Sequence, residues 1–378
     1  MEGLLERSRR KTKDRLKNKR ITKEKITKER VEPLKEPYKL YMVEQLKRLM
    51  AIDSIAGFTH EIEAYLDQEI RNLGFEPKHT VKGGVLADLG GEGNGVCVMA
   101  HADTIGLMVK YIRPNGNLVV ANVGGLRAYS GLTENVRIRT RCGKIYTGVI
   151  QKDSPSQHTT AVDVHTALAD YDKNVVVFLD EDVHTAADVF ALGIACGDSV
   201  SLEPRLTFTE SGYIKSRFLD DKTLVAILLT YMKYVKEEKV ALSRKVWANF
   251  TMFEEINHGG AHAIPADVTE AMALDIGPVG PTQYSSEKKV SIAVKDARFP
   301  YNYETVTALK NAAEQNGVAY ALDMYLPGYG SDSDITITAG YDVKHSCIGP
   351  GVLATHGYER THIDALVNTW LLLKAYLG

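Results

Sequence analysis

Several acidic residues and histidines fall where apolar, strand-like runs stop. The run GVCVMA ends in His101 and Asp103, WANFTMF ends in Glu254 and Glu255, and AMAL ends in Asp275. Asp220 and Asp221 stand just before a long helical pattern, and His356, with His362 close behind, precedes the last one. Strands of one α/β sheet bring their C-terminal ends to a common edge, so these groups converge. Carboxylates brought together repel and shift their pKa values upward, a conflict that divalent cations resolve. Imidazole plus carboxylate suits zinc, cobalt or manganese rather than calcium or an iron–sulfur cluster. Two histidines and at least three carboxylates suffice for two ions sharing a bridging carboxylate. Paired ions about 3.5–4 Å apart are a common hydrolase arrangement.

Each piece alone has a plainer reading. His101 could be a satisfied core histidine. Asp220 and Asp221 could be an N-cap and a first-turn acid, since carboxylates favour helix N-termini. Paired glutamates usually face solvent, but here they follow an apolar strand. Asp275 is an isolated acid after buried-looking residues, which is costly without a partner. Taken in this order, the plain readings fail together. Side chains alternate along an extended strand, so Glu254 and Glu255 both reach one site only where the backbone turns. The following INHGG supplies a turn.

The elements that must position these groups are of two textures. YMVEQLKRLMAI and HEIEAYLDQEIRNLGF read as amphipathic helices, the second closing on Gly74. After Tyr213, DDKTLVAILLTYMKYVKEE, VWANFTMFEE, KVSIAVKD, NYETVTALKNAAEQNG and DALVNTWLLLKAYLG alternate helix and strand. Between them, LMVKYIRPNGNLVVANVG, NVRIRTRCGKIYTGVIQ and GDSVSLEPRLTFTESGYI are short strands with Gly or Asn-Gly turns. A helix-like stretch, DVHTAADVFALGI, lies among them. The expected fold is α/β: a mostly parallel-sheet catalytic domain over 36–105 and 211–378, interrupted by a β-rich, barrel-like domain over 106–210.

The 378 residues carry a net charge of −2, so nothing pulls the whole chain toward nucleic acid or an anionic membrane. A basic extension over 1–35, read as disordered or a solvated helix, is dense in Lys and Arg but lacks interleaved aromatics for base stacking. No apolar run reaches membrane-spanning length, and no secretory h-region is visible. The four cysteines are scattered and form no metal-binding spacing, which fits a reducing cytoplasm.

HADTIGLMV, FLDDKTLVAILL, FEEINHGGA, ALDIG, YGSDSDITI and THGYERTHIDAL stand in the order and spacing of the TET-type aminopeptidases. That family includes glutamyl and deblocking aminopeptidases, some once labelled endoglucanases. The sequence resembles it from about Tyr38 onward, including VGGL, TENVRIRT, GKIYTGVI and LGIACGDSV in the insert. The resemblance implies two divalent ions per chain, with zinc favoured over cobalt or manganese. His101 and Asp275 would bind one ion, Glu255 and His356 the other, and Asp220 would bridge. Asp103 would orient His101, and Glu254 would be the general base. His362 is the rival for the place of His356, or an outer residue of the site. Lys222 stands where the family usually has Arg, Gly357 where Ser is usual, and the segment from Gly330 to Asp332 where it has GTD.

The expected activity is release of N-terminal residues from peptides. The alternatives are a two-metal amide deacylase, a carboxypeptidase, a metal-free glycosidase needing two uncommitted carboxylates, and a non-catalytic assembly protein. Peptides are the expected partners, and the resemblance implies a homo-oligomer between dimer and dodecamer.

Overall fold

The computed structural model describes residues 34–378 except Pro327. The basic extension lies outside the described residues as far as residue 33. Helices Glu36–Met50 and His60–Asn72 follow. Their apolar stripes, Met42, Leu46 and Leu49 on one and Ile62, Leu66 and Ile70 on the other, are fully buried. Gly74 takes φ +81° after the second helix. The Phe75 N–H then reaches back to the Ile70 carbonyl at 3.1 Å, closing the helix end.

Around these helices runs a 12-stranded mixed sheet. Its centre is parallel: Gly95–His101 lies between Val246–Thr251 and Val268–Leu274, and the latter pairs with Lys344–Leu353. The flanks are antiparallel, with Val85–Gly90 on one side and Glu359–His362 and Tyr213–Ser216 on the other. The central strand is buried throughout. Val96, Val98 and Ala100 enter the main core, while Cys97 and Met99 join a separate cluster with Trp247 and Ala271. Alternation into two cores explains why the strand reads as a continuous apolar run. Parallel register puts Thr251 opposite His101, so the strand ends lie at one level.

Between Gly106 and Leu202, six strands close into a barrel in the spatial order Gly106–Ile112, Leu118–Val123, Val175–Leu179, Ile145–Lys152, Asn135–Arg139, Ser199–Leu202. Leu107, Val120, Ile138, Ile150, Val177 and Val200 are fully buried in it. Helix Ala186–Leu192 begins on a capping box of Thr185 and Asp188. The chain leaves the sheet after His101 and rejoins it at Thr207, whose short strand pairs with Tyr213–Ser216.

Candidate active site

His101 ends the central strand and is 2% exposed. Its Nε2 lies 3.2 Å from Asp220 Oδ1 and 3.7 Å from Glu254 Oε2. Its Nδ1 faces the Asp103 main-chain carbonyl at 3.0 Å, whereas the Asp103 carboxylate stands 3.7 Å away. The expected orienting contact to His101 is thus made by the backbone of Asp103. Its carboxylate instead accepts the main-chain N–H groups of Glu254 at 3.1 Å and Glu255 at 3.4 Å.

Asp220 and Asp221 lie at the start of helix Leu219–Glu237 but depart from helical geometry, with ψ of 102° and 15°. They do not serve as caps. Their side chains turn into the site, and Asp221 accepts the His101 N–H at 3.0 Å. Glu254 and Glu255 occupy a 3₁₀ turn, Glu254–Ile256, set between left-handed Phe253 and Asn257. The turn that lets both glutamates face the site therefore begins one residue before them. Asp275 follows strand Val268–Leu274.

His356 sits in a turn after strand Lys344–Leu353. Its Nε2 lies 3.4 Å from Glu255 Oε2 and 3.6 Å from Asp220 Oδ2. Gly125, from the VGGL motif, lies against this ring: a Cβ there would sit 2.3 Å from His356 Nδ1. His362 lies elsewhere. It precedes the last helix, Ile363–Leu377, where its Nδ1 accepts the Asp364 N–H and its Nε2 faces the Ser211 carbonyl.

Two groups of candidate ligand atoms result. His101, Asp220, Asp221 and Asp275 form one; Asp220, Glu255 and His356 form the other, all atoms of each lying within 4.8 Å of one another. Asp220 belongs to both and offers a different oxygen to each histidine. Burial first, and neighbouring carboxylates second, push Glu254, Glu255, Asp221 and Asp275 well above the usual carboxylate range. Burial lifts Asp103 to about 6. Asp220 is the exception. Burial raises it too, but the hydrogen bond and charge of His101, with His356 beyond, hold it low. His101 would be lowered by burial, yet Asp221, Asp220 and Glu254 raise it well above its ordinary value.

The cluster fits bound cations. Asp221 Oδ1 and Glu255 Oε1 are buried without a hydrogen-bond partner among the described residues. Buried carboxylate oxygens left so need a positive partner. Around them opens a cleft of about 640 Å³, lined by Asp220, Glu254, Glu255, Asp275, Tyr329 and His356 among others.

Asp221, placed among the converging acids by the sequence but given no ligand role, joins the first group. Two further residues important here were not picked out as site residues. Asp332, singled out only within the segment that stands where the family has GTD, is buried at the start of helix Asp332–Thr338 and accepts the Thr251 hydroxyl. Glu359 accepts the main-chain N–H groups of both Asp220 and His356. Asp332 and Glu359 act through hydroxyl or main-chain partners that no spacing rule reveals.

The family model for M42 glutamyl aminopeptidases matches residues 83–372. The chain belongs to the M42 glutamyl aminopeptidase family. As an M42 member it is a peptidase, a hydrolase of peptide bonds. YhfE of Bacillus subtilis (strain 168), a protein provisionally called an aminopeptidase, is 39% identical over 340 residues, covering 89% of this chain and 96% of YhfE. The Lactococcus lactis glutamyl aminopeptidase is 21% identical over 347 residues, covering 89% of this chain and 96% of that enzyme. The fold matches the solved structure of the Pyrococcus horikoshii TET1 peptidase at a TM-score of 0.78 and 23% identity, over 88% of this chain and 98% of that one. That peptidase can assemble into a tetrahedron or a large octahedral shell.

Proposed function

We propose that this M42 peptidase is a two-metal aminopeptidase whose general base is Glu254. The observation that carries the reading is Asp220, whose two carboxylate oxygens face His101 and His356 separately. His101, Asp275 and Asp221 would hold one divalent ion, Glu255 and His356 the other, and Asp220 both. Two such ions lower the pKa of bound water and polarise a carbonyl.

The chain's own groups supply the rest. Glu254, facing the cleft, takes the proton of the attacking water as it adds to the scissile carbonyl carbon. When the C–N bond breaks, Glu254 returns that proton to the leaving amine. The raised affinity of Glu254 for protons, from its burial, suits both steps. Asp103 keeps Glu254 in place through its N–H. The substrate's α-ammonium is received by the carboxylate-rich floor of the cleft, which confines cleavage to free N-termini.

We take residues 36–105 and 211–378 as the catalytic domain and 106–210 as an inserted domain. A homo-oligomer is proposed from the assemblies of the Pyrococcus horikoshii relative. Zinc is the favoured ion on ligand type. Free cysteines at all four positions support a reducing, cytoplasmic setting. Among the described residues no helix is long and apolar enough to cross a membrane.

The test is turnover of free and N-blocked aminoacyl p-nitroanilides and short peptides by metal-stripped protein, with and without zinc, cobalt or manganese. Cleavage of free-amine substrates alone, restored by metal, is expected. Cleavage of N-acyl substrates instead would favour the deacylase, and activity indifferent to chelators would remove the metals from the mechanism.

A further inference from the structure

Glu359 is the first residue of strand Glu359–His362. It sits where two ligand-bearing segments meet. On one side is the turn that carries His356, closed by the pairing of Leu353 with Arg360. On the other, Ser216 is paired with Glu359 in antiparallel register, just ahead of Asp220. The Glu359 side chain is almost wholly buried. Its Oε1 accepts the His356 N–H at 3.0 Å, and its Oε2 accepts the Asp220 N–H at 3.2 Å. Among the described residues no Lys, Arg or His forms an ion pair with it.

A buried carboxylate with two amide donors and no cation is a poor choice for filling space, because its charge is desolvated. Gln would keep one acceptor and turn its NH₂ toward the other donor, and Leu would leave both buried N–H groups unpaired, so only a carboxylate of this length serves both amides. The desolvated negative charge that comes with this double acceptor is offset where cations lie nearby. The contacts are also one-sided. Glu359 touches the backbone of Asp220 and His356 but neither His101 nor Asp275.

We propose that Glu359 is a positioning residue for the second ion, the one assigned above to Asp220, Glu255 and His356. It fixes the spacing of Asp220 and His356 through their main chains, and its charge adds to the attraction for that ion without contact with the ion or substrate. The proposal rests on the two-ion reading.

Metal-stripped, full-length protein is titrated with Co²⁺ by calorimetry, with the visible absorption of bound cobalt followed in parallel. Wild type is expected to bind two ions. E359Q is expected to bind the second ion about 10–100-fold more weakly, the range for losing an outer hydrogen-bond partner of a ligand, and to weaken the first ion, which shares only Asp220 with it, by less. Its kcat should fall with second-ion occupancy and recover in excess Co²⁺, with KM little changed. E359D, which keeps the charge, should recover part of the loss. E287Q, which disturbs only the Arg360–Glu287 pair, should match wild type. Circular dichroism reports whether E359Q is folded; should it not fold, E359D carries the same comparison. Equal loss at both ions, or no loss at either, overturns the proposal. Wild type that binds fewer than two ions overturns the two-ion reading itself.

Discussion

The carboxylate of Asp103 accepts the main-chain N–H of Glu254 at 3.1 Å. The residue that leaves one strand therefore fixes the turn that ends its neighbour. An Asn at 103 accepts through one oxygen only and would aim its NH₂ at the second donor, the Glu255 N–H. D103N should lose about 10–100-fold in metal affinity or turnover while keeping its melting temperature within a few degrees. Wild-type activity in D103N would mean the clamp is dispensable.

Glu254 is assigned the proton transfers. E254Q should reduce kcat by about 10²–10⁴-fold and leave bound metal, measured by plasma emission, at the wild-type level. Turnover within tenfold of wild type would reassign the base.

Removal of metal should expose the self-repulsion of the cluster as a pH effect. Glu254, Glu255, Asp221 and Asp275 have raised pKa values in the folded chain, against about 4 unfolded. Their protons are retained on folding, so this stabilisation is complete below about pH 4 and lost as pH rises through the folded values. The melting temperature of chelator-treated protein should fall between about pH 5 and 8. Added divalent metal should restore it, since a ligand that binds only the folded state stabilises that state. A metal-stripped protein more stable at pH 8 than at pH 5 would contradict this balance.

Lys222 gives the opposite slope. It is buried, with Nζ donating to the Leu49 carbonyl at 3.0 Å and the Ile52 carbonyl at 2.6 Å. Burial pulls it from an ordinary 10.5 down to about 7. Between those values the unfolded chain holds a proton that the folded chain lacks, so stability rises with pH. In metal-loaded protein, urea midpoints from pH 7 to 10 should climb more steeply for wild type than for K222M, by up to one proton. Parallel curves would place the Lys222 pKa near its ordinary value.

Arg217 ties the barrel to the His356 turn. Its guanidinium donates to Glu134 at 2.9 Å, to the Ser130 carbonyl at 2.6 Å and to the Gly357 carbonyl at 3.4 Å. Both Arg217 and Glu134 are 4% exposed. Breaking such a buried pair from one side costs about 3–5 kcal/mol, softened here because Arg205 also reaches Glu134 at 2.9 Å. R217M should show this loss in chemical denaturation, and a change below about 1 kcal/mol would show that Arg205 suffices.

Residues whose side chains converge at strand ends were legible. His101, Asp275 and the paired glutamates each follow a run whose apolar character comes from burial in the sheet. The sequence favoured His356 over His362 only through the resemblance, because both precede the last helix; the turn after Lys344–Leu353 aims His356 at Glu255. That strand itself was hidden. KHSCIGPGVL contains Gly349, Pro350 and Gly351 and reads as a loop. Yet a Cβ at Gly349 would sit 1.9 Å from the Asp275 carbonyl oxygen, so glycine is there because the ligand-bearing chain passes against it. Val175–Leu179 was missed for a plainer reason: its short run lacks the alternation that marks a half-buried strand. Glu359 and Asp103 bind amides, and amides carry no residue type to read.

The candidate ligands come from segments spread between His101 and His356, and the last of them is seated by a hairpin that pairs back onto the strand leading to Asp220. On the ribosome, a nascent chain that has not emerged beyond Glu359 has neither its closing histidine nor the carboxylate that braces it. On the ligand set proposed above, the peptidase would be inert throughout most of its own translation, and would cut only once the strands before the final helix had closed the sheet.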